Sequence, residues 1–261
     1  MHLVLAHAVD VRFGMAAWKY DHLRDVLYPG IPKADWLQAY GRVYDHVEPN
    51  VLWRQWPSDA PLARWQDETP ASFRFIPKLY RFLTHGQGDD LGTAEQWWEA
   101  LAPIHDRIPG ALVQFPPSFA RSPTAEARIE ALVGGLGCPA FVEVRHPSWY
   151  GFDLTDLGAV PVWRIDDDLP THWPAHPDVG VVRFRGSGLE QMGTLVRDRG
   201  DLLAAVADKV REQSWKTCYV VMTNHFEGSG PLSIERLAHR LGVPAPDRAK
   251  AGRPGGQAGL F

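Results

Sequence analysis

A single (β/α)8 barrel of the TIM type, an α/β fold with some short or irregular crossovers, is the architecture to expect of this chain. Eight strand-like runs alternate with stretches of helical spacing along 261 residues, a length at which α/β barrels commonly form one domain. The competing α/β architecture, an open doubly wound sheet, calls for a glycine-rich fingerprint after the first strand, and none is present. "GGLGCPA" at 134–140 follows a helical stretch and precedes a strand, so it reads as a helix C-cap and loop.

The expected strands are "VRFGMAAW" (11–18), "YDHVEPN" (44–50), "SFRFIPK" (72–78), "ALVQF" (111–115), "AFVEVRH" (140–146), "VPVWRID" (160–166), "GVVRFRG" (180–186) and "CYVVMTN" (218–224). Helical periodicity is clear in three places. Ala125, Ile129, Leu132 and Val133 recur at i, i+4, i+7 and i+8; Leu202, Val206 and Val210 do so with Lys209 interposed; Ile234, Leu237, Ala238 and Leu241 repeat the pattern. The connections "DLTDLG" and "DDDLPTHWPAHPD" are too short or too rich in proline for long helices. The barrel domain is expected over 1–246. From Asp247 the segment "DRAKAGRPGGQAGLF" lacks periodicity and is expected to be a mobile tail.

Composition excludes several classes. With 45% hydrophobic and 22% charged residues the chain can bury a core. A net charge of −4 argues against coating nucleic acid or an anionic membrane. Cys138 and Cys218 show no ligand-like spacing, which fits a reducing, cytoplasmic setting. The start "MHLVLAHAVDVRF" lacks a basic leader region, and no uncharged apolar run reaches membrane-spanning length. No cofactor fingerprint or metal-ligand motif is found. The 11 tryptophans are the compositional outlier, most of them expected in the core.

Function is signalled by charge inside apolar runs. In "FVEVRHPSWY" (141–150) Phe141, Glu143 and Arg145 share one strand face while Val142 and Val144 share the other. Burying such a pair without partners costs several kcal/mol per ion. Glu48 with Asn50, Arg164 with Asp166, and Arg183 with Arg185 repeat the spacing at other strand ends, and Lys78 and Asn224 with His225 end two more. In a barrel these ends form one mouth, where active sites sit. A barrel ion pair is the alternative for Glu143 and Arg145; for His146 it is a rigid turn before Pro147, and for Gln114 a turn donor.

The blocks "GMAAWKYDHLRDVLYP", "DWLQAYGRVYDHVEPN", "FRFIPKLYRFLTH", "VQFPPSF", "VEVRHPSW", "GVVRFRG" and "TNHFEG", in this order from about Gly14 to Leu241, resemble the DUF72 or YecE-like family of TIM-type barrels. The resemblance implies a polar rim of Trp18 and Tyr20, Glu48 and Asn50, Lys78, and Thr84 with His85. It continues through Gln114, Glu143, Arg145, His146, Asp166, Arg183, and Asn224 with His225. Met15 and Ala16 stand where the family usually has hydroxyl residues, Arg54 where it has Tyr, Arg185 where it has His, and Thr223 where it has Asn.

Cations at the expected mouth (Lys78, Arg145, Arg164, Arg183, Arg185) outnumber Glu48, Glu143 and Asp166, which favours a small anionic ligand bearing phosphate or carboxylate. In catalysis Arg145 and Arg183 would hold the anion, Glu143 or His225 would move a proton, and Lys78 would stabilise developing negative charge. Two alternatives stand beside this reading. One is a metal-dependent phosphodiester hydrolase using Glu48, Glu143, Asp166 and His225; no stoichiometric zinc or manganese is expected, because the arginines oppose a divalent cation. The other is a non-enzymatic single-stranded nucleic-acid binder with Trp18, Trp53 and Trp56 as stacking platforms.

Overall fold

The computed structural model describes residues 9–86, 92–166, 173–190 and 192–252. Its strands are β1 (Asp10–Ala16), β2 (His46–Glu48), β3 (Arg74–Phe75), β4 (Ala111–Gln114), β5 (Ala140–Glu143), β6 (Val160–Pro161), β7 (Trp163–Ile165), β8 (Val179–Phe184) and β9 (Thr217–Met222). Each expected run coincides with one of them, β1, β8 and β9 beginning one residue earlier than expected, except that β6 and β7 are two parts of a single run interrupted at Val162. All pairings are parallel.

A six-stranded sheet runs in the order β3-β2-β1-β9-β8-β7 and a three-stranded one in the order β4-β5-β6. Two contacts connect them. Lys78 bridges Leu112, with the Leu112 amide donating to Pro77 and the Leu79 amide donating back to Leu112. At the other seam the Val162 amide donates to the Val142 carbonyl, carrying the β5 ladder up to the point where β7 pairs with β8. Hydrogen bonding therefore passes from neighbour to neighbour around the whole set, as an eight-stranded barrel requires.

The helices are α1 (Arg24–Leu27), α2 (Trp36–Gly41), α3 (Val51–Arg54), α4 (Asp59–Glu68), α5 (Arg81–His85), α6 (Ala94–Glu99), α7 (Pro123–Gly134), α8 (Gly200–Arg211) and α9 (Gly230–Leu241). The three helices expected from periodicity are the three longest. Ser122 caps α7 by accepting from the Ala125 amide at 3.1 Å, with Pro123 in the first turn. On α8 the buried stripe is Leu203, Val206, Ala207 and Val210, one step round from the stripe read through Leu202 and Lys209. Gly242, at φ 72°, ends α9 in the left-handed conformation that glycine adopts without penalty. The Leu154–Leu157 connection is a 3-10 turn, and none of the described residues between Trp173 and Asp178 is helical.

Two apolar layers hold the fold. One packs the helices on the outer strand faces through Met15, Val47, Phe75, Val113, Val142, Phe184 and Met222. The second fills the barrel with Ile76, Leu112, Phe141, Val162, Val181, Tyr219 and Val221. Below the mouth the interior is crowded: a Cβ on Gly14 would lie 2.2 Å from the His46 carbonyl oxygen, so β1 approaches β2 only because position 14 has no side chain.

The segment expected as a tail is packed where it begins. Arg248–Gly252 forms a 3-10 turn, Arg248 pairs with Glu235 and donates to the Val26 carbonyl, and Ala251 is buried with its carbonyl accepting from Arg42. Periodicity misses this turn because a few long-range polar contacts hold it; residues 253–261, like 1–8 of the expected leader-free start, lie outside the described residues. Among the described residues no helix is long and apolar enough to cross a membrane.

Candidate functional site

Strand alternation places the apolar member of each strand-end pair against the helices and the charged member inside the barrel. Glu48 closes β2, Gln114 closes β4 and Glu143 closes β5, while Arg183 is the penultimate residue of β8. These side chains meet. Arg183 grips Glu48 with two parallel bonds, Nε to Oε2 at 2.6 Å and Nη2 to Oε1 at 2.7 Å, and its Nη1 donates to Glu143 Oε2. Arg145 Nε donates to the other Glu143 oxygen at 2.8 Å. Both carboxylates are fully buried.

The network fixes protonation states. Burial alone would raise the Glu143 pKa, but Arg183 and Arg145 outweigh it and hold the carboxyl well below its ordinary range. Burial would lower Arg183, and Glu143 with Glu48 more than reverse that. Glu143, expected as a proton carrier, is therefore a permanent anion with both oxygens engaged. Arg183, expected to hold the ligand, already has two carboxylates in its fork. An i, i+2 pattern shows that charges share a face; it does not show which of them neutralise one another.

Lys78 is held differently. Its Nζ donates to the neutral Gln114 Oε1 at 2.9 Å and lies 4.7 Å from the centre of the Trp53 ring. Burial first, then the nearby Arg183, lowers its pKa to about 8 against the opposing pull of Glu48 and Glu143. Beside Trp53 stands His85, with its ring 5.6 Å away and its Nδ1 2.7 Å from the Thr84 hydroxyl; burial and Lys78 lower its pKa.

A cavity of about 170 Å³ opens above the network, lined by Ala16, Tyr20, His22, Asn50, Lys78, Gln114, Arg183, Arg185, Thr223, Asn224 and His225. Among the described residues, three cations and two histidines thus face it, and no carboxylate does. Asn224 is buried and its Oδ1 accepts from the Gly230 amide at 2.9 Å, which ties the segment after β9 to the start of α9. His225 is exposed, its pKa lowered by partial burial and by Arg185. Arg185 in turn lies 3.5 Å from Asp166, just outside β7.

Two expected residues stand elsewhere. Trp18 is buried edge-on against Trp65, 5.4 Å between ring centres, and borders a separate cleft between the loop after β1 and α4. His146 turns to its own loop, where its Nδ1 meets the Ser148 hydroxyl at 2.8 Å and accepts from the Ser148 amide, the local cap that the following proline favours. Trp56 packs on Tyr80, so Trp18, Trp53 and Trp56 do not form one stacking surface. Conversely, His22 was missed. It stacks on Tyr20, feels both His225 and Asn224, and has a buried Nε2 without a protein partner; its position two residues past Tyr20 in the loop after β1 is the signal that could have found it.

The carboxylates a metal site would draw on are engaged by arginine, and no group of three or more His, Cys, Asp or Glu side chains is placed to hold a metal among the described residues.

Comparison with known proteins gives a consistent result. The family model described as "Protein of unknown function DUF72" matches residues 12–257. UPF0759 protein YunF of Bacillus subtilis is 30% identical over 152 residues, 54% of this chain and 52% of that protein. UPF0759 protein YecE of Escherichia coli K12 is 28% identical over 120 residues, 44% of this chain and 43% of that protein. The matches thus span about half the length of these curated relatives. Among solved structures, a DUF72 family protein from Enterococcus faecalis aligns with a TM-score of 0.72 at 19% identity, over 91% of this chain and 100% of that one. Another from Thermotoga maritima aligns at 0.69 and 22%, over 87% and 96%.

Proposed function

The chain belongs to the DUF72 family, and from its own residues we propose that it binds a small anionic compound in the cavity at the C-terminal ends of the barrel strands. One observation carries the reading: Lys78, Arg183 and Arg185 line that cavity, while the carboxylates beside them, Glu48 and Glu143 at Arg183 and Asp166 at Arg185, do not. Positive charge facing a partly desolvated space attracts anions far more strongly than it would in water. Proton exchange on such a ligand falls to His225 and His22, which line the cavity and whose lowered pKa values keep them neutral and able to accept a proton near pH 7. Lys78 remains mostly charged at that pH and supplies positive potential to an anion or to developing negative charge.

The test is a thermal-shift screen of wild type and Arg185→Ala against phosphorylated and carboxylated metabolites and short oligonucleotides. A ligand that binds only the native state raises the midpoint. At least one small anion should raise it for wild type and do so less for Arg185→Ala. A response confined to oligonucleotides would move the function to single-stranded nucleic acid, and no response anywhere would end the proposal.

A further inference from the structure

Arg164 lies on β7 directly opposite Arg183 of β8, so the two guanidinium groups share the interior face of the barrel. Their surroundings differ. Arg183 has two carboxylates, whereas Arg164 is 4% exposed, reaches only the Tyr150 hydroxyl at 3.4 Å, and has no protein partner at Nε or Nη1. Arg145, two residues past the end of β5 at Glu143, also leaves a buried Nη2 without a partner. Among the described residues at this end of the barrel, the cations Lys78, Arg145, Arg164, Arg183 and Arg185 stand with three carboxylates, Glu48, Glu143 and Asp166. Two positive charges are uncompensated, and they are the two whose partners are neutral: Arg164 on a tyrosine hydroxyl and Lys78 on an amide.

A guanidinium sealed from water with most of its donors unmet is costly to maintain without a counter-charge. Neither Arg164 nor Arg145 lines the cavity; from this arrangement we infer that a ligand entering it draws Arg164 and Arg145 in as the anchor for its charged group, and that this group is a tetrahedral dianion of the phosphate-monoester type and not a carboxylate. The inference rests on the anion-binding reading of the mouth. It adds the charge and shape of what is bound. A phosphate monoester carries about −1.5 to −2 near neutral pH and three acceptor oxygens, which matches two uncompensated cations and three unmet N–H positions. A carboxylate carries one charge in one plane. Arginine also suits phosphate better than lysine would, because its donors lie in a fixed planar array.

The experiment uses inorganic phosphate, sulfate and acetate at matched ionic strength, with melting of wild type, Arg164→Met, Arg164→Lys and Arg185→Ala. Wild type should be stabilised by phosphate and sulfate and not by acetate. Arg164→Met, relieved of an unpaired buried charge, should melt above wild type in the absence of added anion and lose at least tenfold in apparent phosphate affinity. Arg164→Lys keeps the charge and gives a second reading of the affinity; it should lose several-fold because the planar donor array is gone. An Arg164→Met protein melting below wild type would reveal a counter-charge within the chain and overturn the inference, as would wild-type phosphate affinity in both Arg164 variants. If Arg185→Ala loses the response while the Arg164 variants keep it, the mouth still binds anions and only the anchor falls. Equal stabilisation by acetate and phosphate removes the phosphate assignment alone, and no response of wild type to any of the three anions removes both this inference and the reading beneath it.

Discussion

Arg183 and Lys78 sit within one layer of the barrel and have opposite effects on its stability. Removing Arg183 leaves Glu48 and Glu143 buried side by side without their shared cation, so Arg183→Ala should lose about 3–5 kcal/mol in urea denaturation at pH 7. A loss below about 1 kcal/mol would mean that the fork does not hold the fold. The pH dependence has a definite sign. Glu143 is held below its ordinary pKa, so its contribution is in place above the unfolded carboxylate range and is lost as pH falls from that range through its lower folded pKa; Arg183→Ala should lose this acid sensitivity. Lys78 behaves in reverse. Its folded pKa of about 8 lies below the unfolded value of 10.5, so between those values the unfolded chain binds more protons and stability rises with pH. The groups that face Lys78 are Glu48, Glu143, Arg183, Arg145 and His85. Lys78→Met should abolish the alkaline rise and stabilise the protein at pH 7 by up to about 3 kcal/mol, less what is lost when Gln114 has no donor.

At the scale of strands and helices, glycine positions separate close packing from open surface. Gly14→Ala drives a methyl group into His46 where β1 meets β2 and should destabilise by more than about 3 kcal/mol, because neither backbone nor ring can withdraw. Gly134→Ala, in the last turn of α7 with nothing within 4 Å of the added carbon, should be neutral or stabilising by a few tenths of a kcal/mol. Equal effects in paired melts would contradict the interior contact. Much at this scale was legible in the chain. Strand alternation in "FVEVRH" and "VVRFRG" placed charges inside the barrel, and three-to-four spacing placed α7, α8 and α9. What periodicity could not reach were partners distant in sequence. Arg183 lies 135 residues from Glu48, and the turn at Arg248 is held by Glu235 and the Val26 carbonyl. Trp18 was misplaced for the same reason, since its neighbour Trp65 comes from α4.

For the molecule as a whole, the seams matter most. The three-stranded sheet meets β3 through the contacts of Lys78 and Leu112, and Glu143 at its top is bound to Arg183 of the larger sheet. The ion network therefore spans the two sheets. Glu143→Gln should raise hydrogen exchange in β4 and β5 more than in β1 and β9, whose six-residue pairing is independent of it. Uniform acceleration would show that the sheets open as one. The fork of Arg183 also determines where this barrel can vary over generations. Any substitution at the floor of the cavity is a substitution in the closure of the barrel, so a lineage exploring new ligands would be punished there. Tyr20, His22, Asn50, Arg185 and His225 stand at or beyond the strand ends on the same cavity, free of that double duty. Related barrels with different chemistry should keep the inherited floor and diverge in those five positions, which makes them the place to look for, or to engineer, a change of substrate.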